Sequence, residues 1–555
     1  MKGGKRTRSG LLLGILILLS VQFVLSARVF LPVPHNGGDN AGYIALAYSI
    51  LHRGEYVEIW DPQEPAHTKY PPVFPLLLAG AMALGVKGWV GLKTIPFAST
   101  LLAGLFTYLW ARGRGGDVFG LSVALLLALS DGVLYYSHWI LSDPTFLALT
   151  MGALWAMEKA AGKGDEKGEK TWMALGFAMV LLAYFTRSAG LPLVVATLLG
   201  LAIWKRWRYL ATFAVVFLVP AGLWWLRARL GGGSEYAAEF WLVDPYRPEM
   251  GRLGPGTFLL RIWENLAAYS TDLIPEGIVG GAGRLLPLLG LALVILALVG
   301  WARSLRKEAK VAELFFPLYA GLMLLWPQVW SGDRFALPLI PLLLFFSGKA
   351  LVDLLARASP YLRAGILGLA FLLVAVPAGR DWVRESGTSR ACREVAEGGD
   401  PWACEPVTVQ EYVLMAQWAG ETLPDGAAVV TRKPRIFYVL SGVKTLSLPL
   451  TSDPEIFLGT AREKGAQYVT LDRWDGLARY YLGNVLDARP DAFCGITGVK
   501  VNGEMGIQLL GIQEGGQGPE EGYLPQCPGE MVRKEPRDRS SVSPGVIPLL
   551  AFGSG

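Results

Sequence analysis

The chain has 555 residues, of which 52% are apolar and 17% charged, with a mean hydropathy of +0.38; a soluble domain carries roughly 25% charged residues. That excess excludes the string of about three to four soluble domains that length alone would suggest. Gly and Pro follow no period, which excludes a fibrous protein, and a net charge of +5 is too small to mark nucleic acid as a partner.

The apolar residues lie in blocks, and a membrane span needs about 20 mainly apolar residues. In chain order the uncharged stretches are 9–27, 94–110, 173–186, 188–204, 209–226, 285–302, 314–332, 335–348 and 364–379. The stretch 118–142 is broken only by Asp131, and 144–157 follows at once. Asp131 therefore reads as an ionisable group inside a span, where a functional role is the default. From Asp381 onward the runs shorten and charges are frequent. The chain thus divides into a helical membrane part, 1–380, and a C-terminal part, 381–512, with a Gly-, Pro- and charge-rich tail over 513–555 that reads as disordered.

Short cytoplasmic loops are enriched in Lys and Arg. Lys2, Lys5, Arg6 and Arg8 precede the first block, and further basic clusters fall at 112–114, 159–170, 205–208, 303–310 and 349–363. Placing all of these inside gives about eleven alternating spans, a cytoplasmic N-terminus and an extracytoplasmic C-terminal part. A cleaved signal peptide is the competing reading of the first block, but no clear cleavage site follows it. The stretch 72–86 is apolar but short and reads as a half-buried or re-entrant helix on the outer side. Cys392, Cys404, Cys494 and Cys527 all fall outside, where disulfides form. Proximity pairs Cys392 with Cys404 and Cys494 with Cys527, one of three possible pairings, and unpaired thiols are the alternative.

The outer loops gather the unusual residues. The first, 28–72, contains GGDNAGY with Asp39 before a short apolar helix, and KYPP with Lys69. Asp39 could be a helix cap and Lys69 an interfacial anchor. The second carries SDP, with Asp143 at the start of a span, where Ser142 or Asp143 could again be a cap. The third is TRSAG with Arg187, and the fifth GDRFALPLIP, in which Asp333 and Arg334 could neutralise each other. The long fourth loop holds Tyr236, Trp241, Tyr246 and Arg247, suited to covering a substrate, although Trp241 also fits an interfacial belt. Cations of this kind stabilise a leaving phosphate, and a carboxylate can take a proton from an attacking hydroxyl or amine. GRGG at 113–116 lacks the strand and lysine of a nucleotide-binding loop, and no Cys or His spacing marks a zinc site.

GGDNAGY, KYPP, SDP, TRSAG and DRFALPLIP, in that order, resemble integral-membrane glycosyltransferases of the GT-C fold. The likeness covers roughly residues 10–380 and points to bacterial members of the dolichyl-phosphate-mannose protein mannosyltransferase superfamily, which includes aminoarabinose transferases acting on lipid A. The resemblance implies a polytopic α-helical protein that moves a sugar from a polyprenyl-phosphate donor to a lipid, glycan or protein acceptor at the outer face of the cytoplasmic membrane. It implies Asp39 as catalytic base, Asp143 as a second catalytic carboxylate, Lys69 as a contact to the lipid phosphate, and Arg334 as assisting the phosphate or the local fold; Arg187, a cation on the same outer face, joins them as a phosphate ligand. A divalent metal (Mg, Mn or Zn) is a possible cofactor, with Asp143 and His67 as candidate ligands. Many relatives have Lys directly before Pro-Pro, whereas Tyr70 intervenes here, and His67 and Thr68 stand where some relatives have Glu. A transporter or flippase, a ligase or polymerase of lipid-linked glycans, and an inactive scaffold are the competing readings. The alternation of short apolar runs and helical segments over 381–512 predicts a small α/β domain, with strands at 427–431 and 468–471, helices at 435–440, 454–464 and 477–486, and 506–512 closing the pattern.

Overall fold

The computed structural model describes residues 2–162, 166–231, 235–281, 283–501 and 504–513. The tail after 513, including Cys527, lies outside those residues. The chain divides into two compact units: Met1–Leu31, Thr68–Phe74 and Lys93–Ala391 form the first, and Pro32–His67, Pro75–Leu92 and the segment from Cys392 onward form the second.

Among the described residues five helices are long and apolar enough to cross a membrane: Gly10–Val29, Gly88–Gly115, Trp207–Leu230, Leu286–Lys307 and Pro360–Ala396. Leu288, Leu291, Ile295 and Leu298 lie exposed at helical spacing on the fourth, and Leu369, Leu372, Leu373 and Val376 on the fifth. Apolar stripes of this length left uncovered by protein are matched by lipid. The chain is a multi-pass membrane protein. Helix Val73–Ala83 has 11 residues, so at 1.5 Å per residue it reaches about 16 Å, well short of the ~30 Å hydrocarbon core.

In the first unit, helices Asp143–Ala161 and Glu166–Thr186 pack along each other, burying Leu147, Met151, Leu154, Phe177 and Val180. Leu286–Lys307 packs on Ile340–Leu354 so closely that a Cβ at Gly300 would come 2.0 Å from the Phe346 carbonyl oxygen, which only glycine avoids. The expected single span over 118–142 is not formed. The helix ends at Leu129, Ser130 turns extended, and Asp131 opens a separate helix, Asp131–Tyr136. Asp131 therefore stands in the first turn of a separate helix, at a break between two helices. The basic end of helix Gly88–Gly115 is neutralised within the unit: Arg114 Nε lies 3.4 Å from Glu158, and the same guanidinium pairs with Glu313.

The second unit is built on a five-stranded sheet of order β2-β1-β3-β5-β4: β1 Ala428–Thr431, β2 Lys444–Ser447, β3 Tyr468–Leu471, β4 Phe493–Val501 and β5 Glu504–Ile512. β1 pairs in parallel with β2 and β3, while β5 runs antiparallel to β3 and β4. Helices Pro434–Ser441, Pro454–Glu463 and Leu477–Ala488 make the connections. β1 is buried along its whole length, as expected of a central parallel strand. Phe457, Leu458, Leu482 and Val485 pack with Val430, Val469 and Leu510. Helix Val407–Thr422 adds Tyr412, whose hydroxyl lies 2.6 Å from the Thr431 hydroxyl. β2 and the helix Val407–Thr422 have weak hydropathy signals and are absent from the sequence reading. The edge strand β2 is covered by the first loop: Thr445 N donates to Trp60 O at 2.7 Å and Lys444 Nζ to Ile59 O at 2.7 Å. Such cover removes an open sheet edge.

Candidate active site

In the first unit the structure brings three of the sequence-predicted residues together. Helix connectivity explains it: Asp143 opens Asp143–Ala161, and Arg187 directly follows its partner helix Glu166–Thr186, so antiparallel packing puts both at one end. Asp143 Oδ1 pairs with Arg187, and Arg334 Nε donates to Asp143 Oδ2 at 2.8 Å. The carboxylate is 4% exposed and the guanidiniums 13% and 21%. Buried charges are tolerated when paired. Two guanidiniums around one carboxylate still leave a net positive charge. Both also stack against Phe335, at 5.2 and 5.7 Å from its ring centroid. The side chains of Arg334 and Asp333 turn to different partners. The Asp333 carboxylate accepts from the Tyr136 hydroxyl at 2.9 Å and from the Arg334 backbone N–H at 2.8 Å, while the Arg334 guanidinium turns to Asp143.

Lys69, also in the first unit, donates to Glu239 at 3.2 Å and lies 5.8 Å from the Trp330 ring. Tyr246 meets the same Trp330, ring centroids 6.5 Å apart, and its backbone N–H donates to Asp244 Oδ1 at 2.8 Å in a tight turn. Arg261 ties this loop down by donating to the Phe240 and Val243 carbonyls at 2.9 and 3.3 Å. Arg247 and Trp241 are exposed, and the Tyr236 side chain lies outside the described residues. Glu239, Trp330 and Arg261 are absent from the sequence reading; PQVWSGDR, immediately before Arg334, carried the available signal for Trp330.

Asp39 belongs to the second unit. Gly37, not Asp39, occupies the cap position of helix Gly38–Arg53, so Asp39 stands in its first turn. This helix packs on Pro434–Ser441, and Arg435 Nη1 lies 3.6 Å from Asp39 Oδ1. Burial and the neighbouring Arg432 lower the Lys433 ammonium below the usual lysine range, opposed by Asp475 and Asp39. Arg435 and Lys433 were not singled out by sequence, because nothing periodic links them to Asp39. His67 is fully buried, its Nδ1 2.7 Å from Glu58 Oε1.

Neither metal-ligand candidate is presented for coordination. Asp143 is engaged by two guanidiniums and His67 by Glu58, and among the described residues no three His, Cys, Asp or Glu side chains converge on one point. Asp143 and His67, as placed, do not together form a divalent metal site. Cys392 and Cys404 form a disulfide with Cα atoms 5.5 Å apart, and Cys494 is disulfide-bonded too.

No protein-family model matches the sequence, and no curated protein is similar to it in sequence. Its fold does match solved structures. The oligosaccharyltransferase of Archaeoglobus fulgidus, in complex with zinc and sulfate, superposes with a TM-score of 0.56 at 16% identity, over 88% of this chain and 72% of that one. ArnT from Cupriavidus metallidurans, bound to undecaprenyl phosphate, gives 0.55 at 15% identity, over 90% of this chain and 97% of that one. The chain therefore has the GT-C fold, a polytopic helical bundle with a small α/β sheet in its C-terminal region.

Proposed function

We propose that this protein is an inverting glycosyltransferase that moves a hexosyl or pentosyl unit from a polyprenyl-phosphate donor to a lipid, glycan or protein acceptor. The observation that carries the reading is the buried Asp143–Arg187–Arg334 triad, two guanidiniums on one carboxylate at one end of a helical bundle, which supports a place for an anionic leaving group. The likeness of the fold to ArnT, a structure that holds undecaprenyl phosphate, supports the choice of lipid. On this reading the N-terminus is cytoplasmic, the helical domain 1–380 sits in the cytoplasmic membrane, and the α/β domain 381–512 is extracytoplasmic.

The acceptor oxygen or nitrogen attacks the anomeric carbon, and Asp39 takes its proton. The bond from that carbon to the phosphate oxygen breaks, the electron pair leaves with the polyprenyl phosphate, and the anomeric configuration inverts. Arg187 and Arg334 stabilise the charge gained by the leaving phosphate. Asp143 holds the two guanidiniums at one point against their mutual repulsion. Lys69 exchanges Glu239 for a donor phosphate oxygen, and Tyr246 and Arg247 contact the sugar or acceptor.

The full chain in lipid nanodiscs, supplied with extracted polyprenyl-phosphate sugars and envelope acceptors, should release polyprenyl phosphate detectable by mass spectrometry. Asp39→Asn should slow that release by roughly 10²–10⁴-fold. Undiminished release by Asp39→Asn would remove Asp39 from the chemistry. The comparable likeness to an oligosaccharyltransferase favours a second reading, in which a whole lipid-linked oligosaccharide moves to a polypeptide. The mass added to the acceptor separates the two.

A further inference from the structure

Asp39 and the α/β sheet belong to the same compact unit, and the contact between them is specific. Strand β1 ends at Thr431, and the chain runs through Arg432 and Lys433 into helix Pro434–Ser441. Arg435, in the first turn of that helix, reaches the first turn of helix Gly38–Arg53, where Asp39 stands. Its side chain is held along its length. The guanidinium lies 5.3 Å from the Trp60 ring centroid, a cation–π distance. The stem passes Gly42, three residues after Asp39 and on the same helix face, where an added Cβ would sit 2.9 Å from Arg435 Cδ. Trp60 is itself fixed by the hydrogen bond from Thr445 of β2 to its carbonyl oxygen. The Asp39 side chain is 35% exposed and that of Arg435 20%, so solvent screens the pair only in part.

We propose that Arg435 is a positioning residue for Asp39: the α/β unit supplies a guanidinium that keeps this carboxylate ionised and holds its orientation. The proposal rests on the reading of Asp39 as the catalytic base. It gives the sheet domain a part in the chemistry, because β1 and its following helix aim the cation that pairs with the base. A base that is ionised before the acceptor arrives needs no prior deprotonation step, and an opposite charge at this distance lowers a carboxylate's proton affinity. Among the described residues, the elements packed against Asp39 bring these charged and titratable groups, with Arg432 and Asp475 beside Lys433. Helix Pro434–Ser441 and its preceding residue bring Arg435, Lys433 and Tyr438; the helix of Asp39 itself bears Tyr43, Tyr48, His52 and Arg53; the covering loop brings Glu64. Of these, Arg435 and Lys433 act on Asp39 as cations from the sheet, and Arg435 makes the ion pair. The amide dipoles at the start of helix Gly38–Arg53 add to both, so loss of Arg435 alone leaves part of the effect in place.

The test uses the purified full chain and needs no knowledge of its substrate. Carbodiimide with a small amine labels protonated carboxyls, and peptide mass spectrometry reads the labelling of Asp39 as a function of pH. The half-labelling pH should rise by about one pH unit in Arg435→Gln and stay near wild type in Arg435→Lys. Coincident curves for wild type and Arg435→Gln would overturn the proposal, as would an Arg435→Lys curve matching Arg435→Gln. If Arg435→Gln does not fold, Gly42→Ala, which pushes the Arg435 stem aside without removing its charge, should raise the midpoint, and an unchanged midpoint counts against the proposal. The acid limb of polyprenyl phosphate release should move by the same amount as the labelling midpoint. Full activity in Asp39→Asn defeats the catalytic reading, whereas an inactive Asp39→Asn with an unshifted Arg435→Gln defeats only this inference.

Discussion

Asp143 shows what a single carboxylate can hold in place. Its two oxygens take one guanidinium each, from Arg187 and Arg334, at 4% exposure. Removing one member of a buried charged group leaves the others unpaired, at a cost of about 3–5 kcal/mol when burial is complete and less here because the guanidiniums are partly wet. Asp143→Asn should therefore lower the melting temperature of the full chain more than Arg334→Gln does. Arg334→Gln should instead slow turnover by about 10²–10³-fold, as loss of one charge-stabilising donor does. Asp472 in the sheet unit makes a pH prediction. Burial, with Asp475 beside it, pushes its carboxyl up to about 6, against the Trp474 N–H that it accepts at 3.0 Å. The folded state thus holds a proton that the unfolded chain has released, so the Asp472 contribution to stability is greatest below about pH 4 and is lost as pH rises through 6. The full loss is on the order of 3 kcal/mol. Asp472→Asn, neutral throughout, should melt above wild type at pH 7.5, with the gap shrinking as pH falls to 4. A gap independent of pH would refute the assignment.

At the scale of elements, local signals worked where one segment decides its own structure. Ala428–Thr431, Pro454–Glu463, Tyr468–Leu471 and Leu477–Ala488 form as β-branched content, caps and apolar spacing imply. Asp453 caps its helix through Glu455 N at 2.9 Å and Ile456 N at 3.2 Å, a pattern visible in S-D-P-E. Lys444–Ser447 gave no such signal. Its polar face is an edge satisfied by Trp60 and Ile59, residues from a distant loop. The Cys392–Cys404 bridge, within the second unit, ties the last turns of helix Pro360–Ala396 to the loop before helix Val407–Thr422, with a sequence separation of 12. Closing a loop of that size is worth about 3 kcal/mol on the chain-entropy account. A Cys392→Ser, Cys404→Ser chain should melt several degrees below wild type, and equal melting would mean that packing alone holds this junction.

Across the whole molecule, the sheet unit is discontinuous: the loop bearing Asp39 belongs with the C-terminal segment rather than with helix Lys2–Val29, which precedes it in sequence. Tyr43 and Trp60 are buried in that unit, at 3% and 4% exposure. A chain truncated after Ala391 should lose that cover, so chymotrypsin should cut at Tyr43 and Trp60 in the truncated protein in nanodiscs and spare both in the full chain. Equal protection would show that the loop folds without the sheet.

Hydropathy by itself determined the membrane class, the change of character near 381 and the segments where ionisable residues escape the apolar blocks, because a bilayer imposes one requirement on every span independently of its neighbours. The same reading named Asp39, Lys69, Asp143, Arg187 and Arg334, since charge next to an apolar block is visible locally. Only the tertiary structure decided their partners: Arg187 and Arg334 with Asp143, Glu239 and Trp330 with Lys69, Arg435 with Asp39. Those pairings join positions with no common period, and the interaction that selects them, charge seeking charge where water is scarce, exists only once helices and sheet have excluded the solvent.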